Sequence, residues 1–214
     1  MKVIVCGGGP VDLVPKDLRA DYFIGADSGA VHLLQMNIIP NYITGDLDSI
    51  RSNDAAKWEM ELKSAVKVPT EKDETDTFLA LQKAADLLPT QIELVGVTGG
   101  RLDHYHAVLH DLLSFQKDYP SIHFSIRDQW NVIRFLTPGR HHLAANSYQY
   151  CSFYAFDEDV TGVTLTGFKY PVHMEAIQVG TSRFTSNEII DEFGSIQFSS
   201  GICLCIQSRE ESGE

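Results

Sequence analysis

The feature that most constrains this chain is a change of texture part-way along it. Over the first 127 residues, short β-branched runs alternate with segments of helical periodicity. The runs are Val3 to Cys6, Tyr22 to Ile24, Tyr42 to Thr44, Ala65 to Val68, Ile92 to Val97 and Ile122 to Ile126. Between most of them lie Ser28 to Met36, Asn53 to Lys63, Thr75 to Leu88 and Asp103 to Phe115, with apolar residues three and four apart. Strand and helix in alternation predict crossover units, hence an α/β domain with a mainly parallel sheet and helices on its faces. After about Trp130 the helical stripes vanish. Val132 to Leu136, Tyr148 to Phe156, Val163 to Thr166, Val172 to Val179, Ser195 to Phe198 and Ile202 to Gln207 are short strands between turn signals. They predict an all-β, sandwich- or barrel-like domain. The expected division is 1–128 and 129–214.

Charge narrows the classes of partner. Lys and Arg total 17 against 29 Asp and Glu, a formal net charge of −12 over 214 residues. A nucleic-acid-binding protein normally carries a basic face, so this balance argues against nucleic acid. It suits a cationic ligand, or a polyanion that arrives with metal ions. The opening MKVIVCGGGP has too short an apolar run for a secretion signal. No apolar stretch approaches the roughly 18 residues of a membrane helix. The expectation is a soluble, cytoplasmic protein. Four cysteines in a chain of this length read as buried free thiols rather than a disulfide framework. Cys203 and Cys205, two apart in a strand, share a face.

Aspartates mark the junctions from strand to helix. Asp27 lies in ADSGA, Asp46 and Asp48 in GDLDS, Asp73 and Asp76 in KDETD, and Asp103 in GGRLDH. In an open parallel sheet these junctions lie at the carboxyl ends of the strands, where ligands bind. Taken singly, each Asp is an ordinary helix cap, and Asp73 with Asp76 resembles an acidic capping box. Asp46 and Asp48 are two apart, so one cap does not explain both. Two carboxylates about 4 Å apart at an effective dielectric near 20 repel by roughly 4 kcal/mol. A rim of several therefore asks for wide spacing, protonation or a bound cation, and hard oxygen ligands select Mg²⁺.

Gly7, Gly8 and Gly9 after the first strand, and Gly99 and Gly100 before Arg101, offer anion sites on the same rim. Lys72 and Arg101 each stand beside an acidic cluster. Acids, isolated cations and Gly-rich backbone on one edge describe a site for a Mg²⁺-polyphosphate. The GGGP turn lacks both the dinucleotide spacing and the Lys-Ser/Thr of a P-loop. His104 stands at a helix start, where it caps the turn or meets a phosphate. His106 and His110 share a helix face without the further ligands zinc needs. His141 and His142 follow the Pro138-Gly139 turn and are expected in solvent. Trp130, Tyr170 and Phe184 either stack on a ligand or pack in the core.

ADSGA, GDLDS, KDETD and GGRLDH in this order, with TGFKYP at 166–171 and SNE at 186–188, resemble the thiamine pyrophosphokinase (thiamine diphosphokinase) family over nearly the whole chain. The resemblance implies a homodimer with an α/β domain that binds ATP and a β-rich domain that completes a thiamine site across the dimer interface. It implies transfer of a diphosphoryl unit from ATP to thiamine with release of AMP. Asp46, Asp48, Asp73, Asp76, Arg101 and Asp103 would be the catalytic set, with Mg²⁺ on Asp46, Asp48 and Asp76. ATP would meet Gly8, Gly9, Asp27, Ser28, Lys72, Thr75, Gly100 and His104, and thiamine would meet Ser186 and Asn187. Three positions depart from the family's habit: Ser28 for Gly, Leu47 for an aromatic, and His110 for Asn. A non-catalytic nucleotide- or thiamine-binding sensor, a pyrophosphokinase acting on another alcohol, and a dinucleotide-dependent oxidoreductase are the rival classes.

Overall fold

The computed structural model describes residues 1–45, 74–145 and 147–210. The chain divides into two compact units, Met1–Gln129 and Trp130–Glu214. The expected helix Asn53 to Lys63 and strand Ala65 to Val68 lie outside the described residues.

In the first unit, β1 (Lys2–Cys6), β2 (Tyr22–Ala26), β3 (Tyr42–Thr44), β4 (Gln91–Val95) and β5 (His123–Arg127) form a parallel sheet in the order β5-β4-β1-β2-β3. Central β1 and β4 are buried along almost their whole length, which explains the apolar Val3, Ile4, Val5 and Cys6 of one and Ile92, Leu94 and Val95 of the other. The chain lays β2 and β3 on one side of β1, then β4 and β5 on the other. The winding thus reverses between β1 and β4, and such a switch point opens a crevice above the carboxyl ends of the strands. Two bonds hold the loops there: Gly7 donates its N–H to Val95 O at 2.8 Å, and Gly9 to Gly96 O at 2.7 Å. Gly96 has φ 65°, and a Cβ on it would stand 2.5 Å from the Gly7 carbonyl oxygen. Any side chain at Gly96 would force the loops apart.

Helix α1 (Gly29–Gln35) follows β2 and buries Ala30, Val31, Leu33 and Leu34. Helix α2 (Asp76–Asp86) turns Ala80, Leu81, Ala84 and Ala85 inward. Its cap is Thr75, whose Oγ1 accepts the Phe78 N–H at 3.1 Å, worth about 1 kcal/mol. The acidic capping box expected of Asp73 and Asp76 is therefore corrected: Asp76 is the first helical residue, and Asp73 lies outside the described residues. Helix α3 (Leu102–Asp118) links β4 to β5 and buries Val108, Leu109, Leu112, Leu113 and Phe115. Among the described residues no helix is long and apolar enough to cross a membrane.

One charge interrupts the apolar centre of this sheet. Glu93 on β4 is 9% exposed. It accepts from Lys2 Nζ and from Arg127 Nε, each at 3.0 Å. Arg127 reaches on to Asp17 at 2.8 Å.

The second unit is all β. Strands β6 (Asn131–Leu136), β8 (Tyr150–Ala155), β11 (Asn187–Glu188) and β13 (Cys203–Ser208) form an antiparallel array ordered β11-β8-β13-β6. Strands β7 (Gly139–Ala144), β9 (Val160–Thr166), β10 (Val172–Ile177) and β12 (Phe193–Phe198) form a second sheet ordered β10-β9-β12-β7. Their shared core contains Phe153, Phe168, Val163, Leu165, Ile196 and Cys203. The rings of Phe153 and Phe168 meet edge to face at 5.6 Å. Strand β7 corrects the expectation for its histidines. His141 is half-buried, with Nε2 2.7 Å from Thr137 O and its ring stacked on Phe198, while His142 stays exposed.

Two outcomes test this packing. Glu93→Ala leaves Lys2 and Arg127 without their shared partner. It should lower unfolding free energy by about 2 kcal/mol, the buried-pair cost reduced for partial exposure, read as a lower urea midpoint. All four cysteines are buried and free, and burial pushes the Cys6 thiol up to about 12. A disulfide reagent at pH 8 should titrate essentially no thiol in the native protein, and four after denaturation.

Candidate functional site

A cleft of about 790 Å³ opens in the first unit above the carboxyl ends of its strands. Its walls come from the loop after β1, the β2–α1 junction, the first turn of α2, and the segment from Gly96 into α3. These are the places where strands stop and backbone must turn, so polar side chains and glycines gather there.

The β2–α1 and α2 wall is acidic. Asp27 takes a left-handed backbone, φ 53°, at a cost of about 1 kcal/mol that Asp bears better than most residues. Its N–H donates to Thr44 O at 2.9 Å, and its own carbonyl accepts from Ala30 at 3.1 Å. The turn therefore braces β2, β3 and α1 together. A Cβ built on Gly45 would stand 3.2 Å from the Asp76 carboxyl carbon and 3.3 Å from the Asp27 Cα, so these acids flank one glycine. The Thr44 hydroxyl donates to Asp76 O at 3.0 Å and pins the start of α2 to β3.

The α3 wall is cationic. Arg101 stands at the N-cap position of α3 without a side-chain cap bond. Its guanidinium donates to Asp103 through Nη2 at 2.6 Å and through Nε at 3.1 Å. Asp103 also accepts the His104 N–H at 3.0 Å. The bidentate pair pulls the Asp103 carboxyl below its ordinary range and raises Arg101 further. Both side chains remain largely in solvent, 71% and 64% exposed, so the pair orders the guanidinium more than it stabilises the fold.

Three buried side-chain polar atoms among the described residues have no hydrogen-bond partner: Asp27 Oδ1, His32 Nδ1 and Thr98 Oγ1. All three residues line this cleft. Buried polar groups are normally paired; these three atoms are closed off from solvent, so they lie behind the cleft surface rather than on it. The Asp27 and Asp76 carboxylates on the cleft are hard oxygen donors, the kind Mg²⁺ takes together with phosphate. Among the described residues no three metal-ligating groups cluster.

Of the residues singled out in the sequence, Gly8, Gly9, Asp27, Ser28, Thr75, Asp76, Gly100, Arg101 and His104 all line the cleft, with Asp103 held to Arg101. Asp46, Asp48, Lys72 and Asp73 lie outside the described residues. Gly7 and Gly9 spend their N–H groups on the β4 side, so what they bring is close approach, not donors. Ser186 and Asn187 belong to the second unit. Ser186 has φ 57° and donates its N–H to Ser152 Oγ at 2.9 Å. Asn187 is buried: its Oδ1 accepts from Tyr170 N, and its Nδ2 donates to Tyr170 O at 2.9 Å. That double bond pair clamps the loop which presents Tyr170, 60% exposed, whereas Phe184 is core. Trp130 lies under the Arg209 guanidinium at 5.6 Å. His32 and Thr98 were not signalled by the sequence: one is a single histidine inside an apolar helix, the other a threonine beside a strand end.

Residues 18–124 match the family model described as thiamin pyrophosphokinase, catalytic domain, and residues 140–203 match the model described as thiamin pyrophosphokinase, vitamin B1 binding domain. The chain belongs to the thiamin pyrophosphokinase family. It is 36% identical over 217 residues to the thiamine pyrophosphokinase of Bacillus subtilis, covering 98% of this chain and 100% of that one. A crystal structure of the Bacillus subtilis thiamine pyrophosphokinase superposes with a TM-score of 0.92 at 34% identity, covering 99% of this chain and 100% of that one. The Geobacillus thermodenitrificans thiamin pyrophosphokinase gives 0.91 at 34% identity, with 99% of each chain covered. The thiamin pyrophosphokinase architecture, an α/β unit followed by a β-sandwich, is thus the architecture of this chain.

Within this family fold, burial lowers the His32 pKa, against a smaller upward pull from hydrogen bonding to the Gly7 backbone. A histidine held neutral in the folded state stabilises fully above its unfolded value, about 6.5. That stabilisation fades as pH falls through the lowered folded value. The urea midpoint of wild type should therefore drop relative to His32→Phe between pH 7.5 and pH 5.

Proposed function

We propose that this chain transfers the diphosphoryl group of ATP to the hydroxyethyl oxygen of thiamine, giving thiamine diphosphate and AMP. The observation that carries the reading is a single cleft at the carboxyl ends of the parallel strands with Asp27 and Asp76 on one wall and Arg101 on another. Family membership supports thiamine as the acceptor. A positively charged thiazolium also suits a chain of net charge −12.

Phosphoryl-type transfer leaves the protein little covalent work, so positioning and charge stabilisation dominate. The hydroxyl oxygen bonds to the β-phosphorus while the bond to the bridging oxygen of AMP breaks. Arg101, already oriented by Asp103, offers its guanidinium to the charge that develops on phosphate oxygens, with Lys72 as the second cation. Gly8, Gly9 and Gly100 let the polyphosphate approach the backbone, and Asp27, Ser28, Thr75 and His104 complete the nucleotide contacts. Asp46, Asp48 and Asp76, with Asp73 beside them, would hold Mg²⁺, whose chemistry when bound is to screen the polyphosphate charge. An aspartate accepts the hydroxyl proton as the new bond forms; Asp48 and Asp76 are the candidates. Ser186 and Asn187 serve the aminopyrimidine of thiamine, and the working form is a cytoplasmic homodimer.

One incubation tests the reaction: purified protein with ATP, Mg²⁺ and thiamine, with the nucleotide product identified. AMP with thiamine diphosphate is the expected result, and ADP would mean single phosphoryl transfer by a different enzyme. Asp76→Asn keeps size but removes charge and should lower kcat by about 10²-fold or more. Near-normal turnover in that folded variant would remove Asp76 from the catalytic set.

A further inference from the structure

Thr44 is the last residue of β3, the strand at one edge of the parallel sheet, and it is 0% exposed. It pairs with Ala26 across the ladder to β2. Valine has nearly the same shape, suits a strand equally well, and would bring no hydroxyl to bury. The hydroxyl that stands there is used: it donates to Asp76 O at 3.0 Å. The Thr44 carbonyl accepts the Asp27 N–H at 2.9 Å. One buried residue thus holds the backbone of both acids on the cleft, through different atoms. Asp27 is held by the main chain, and Asp76 by the side chain.

The two ties differ in what they secure. Asp76 is the first residue of α2. The Thr75 cap bond stays within that helix's own first turn. The Thr44 hydroxyl instead joins strand to helix, across 32 residues of sequence, at the residue whose carboxylate is a proposed Mg²⁺ ligand. The Gly45 Cβ position, 3.2 Å from the Asp76 carboxyl carbon, leaves little space for that carboxylate to shift towards β3. We propose that Thr44 is a positioning residue for the metal: its hydroxyl fixes the start of α2 against β3 so that the Asp76 carboxylate is held where Mg²⁺ is taken up. The inference rests on the Mg²⁺-nucleotide reading above and deepens it. Groups that hold a metal ligand without touching the metal change its affinity by about 10–100-fold when removed. Removing the hydroxyl leaves the main-chain tie to Asp27 in place, so the loss falls on the metal and not on the nucleotide alone.

The test is calorimetric binding of α,β-methylene-ATP, whose α–β bridge is not broken by transfer, without thiamine. Each protein is titrated once with Mg²⁺ and once with EDTA, and the ratio of the two affinities reports the metal. The proteins are wild type, Thr44→Val, which removes only the hydroxyl, and Thr44→Ser, which keeps it. Urea midpoints confirm folding, and Thr44→Ala replaces Thr44→Val should that variant not fold. Wild type should bind more tightly with Mg²⁺ than with EDTA. Thr44→Val should lower that ratio about tenfold while its affinity in EDTA stays close to wild type, and Thr44→Ser should keep most of the ratio. Three results would each overturn the inference and leave the reaction standing: an unchanged ratio in folded Thr44→Val, an EDTA affinity that falls as far as the Mg²⁺ affinity, or a Thr44→Ser ratio as low as that of Thr44→Val. A wild-type ratio of one would overturn the Mg²⁺ reading and the inference with it.

Discussion

The reversal of winding between β1 and β4 is what the rest of this structure depends on. Two neighbouring parallel strands send their chains away in opposite directions, and the space between those departures is the cleft. Their ends are tied by Gly7 N–H to Val95 O and Gly9 N–H to Gly96 O. The tie tolerates only glycine at position 96, where a Cβ would press on the Gly7 carbonyl. The cleft is therefore fixed by backbone rather than by adaptable side chains, which suits a reaction whose catalysis is mostly placement.

Around that frame the chain distributes charge by element. Acids come from the ends of β2 and the start of α2, and the cation comes from the start of α3. The neutral polar orphans, His32 and Thr98, lie on α1 and beyond β4.

Much of this was legible in the sequence, for physical reasons. Strand β1 announces itself because a strand buried on both faces must be apolar nearly throughout, and β2, β3 and β5 because short β-branched or aromatic runs stand between turn signals and helical stripes. Asp27 and Asp76 were legible as rim acids because each stands at a junction between strand and helix, at the end of the sheet where ligands bind. Strand β7 was not legible. Its sequence, GRHHLA, is polar because only Leu143 is fully buried at that sheet edge, and three consecutive polar residues hide the period of two. Asp73 and Asp76 stand at the spacing of a capping box, while Thr75 between them makes the bond, and sequence spacing alone does not separate the two. His32 gave no signal because its place on the cleft wall comes from tertiary packing, which a lone histidine in an apolar helix does not announce. Asn187 was visible as a turn residue, but its two bonds to Tyr170 join residues that sequence order keeps well apart.

Glu93 shows how a single acid can police assembly. Side chains on a strand alternate between faces, so sliding β4 by one residue against β1 would send this carboxylate to the opposite layer, away from Lys2 and Arg127. Leucine or isoleucine would then confront the two cations. An otherwise greasy central strand has many nearly equivalent alignments, and the ion trio makes all but one of them costly. The register behind the rim is thus guarded by a cluster that does not line the cleft.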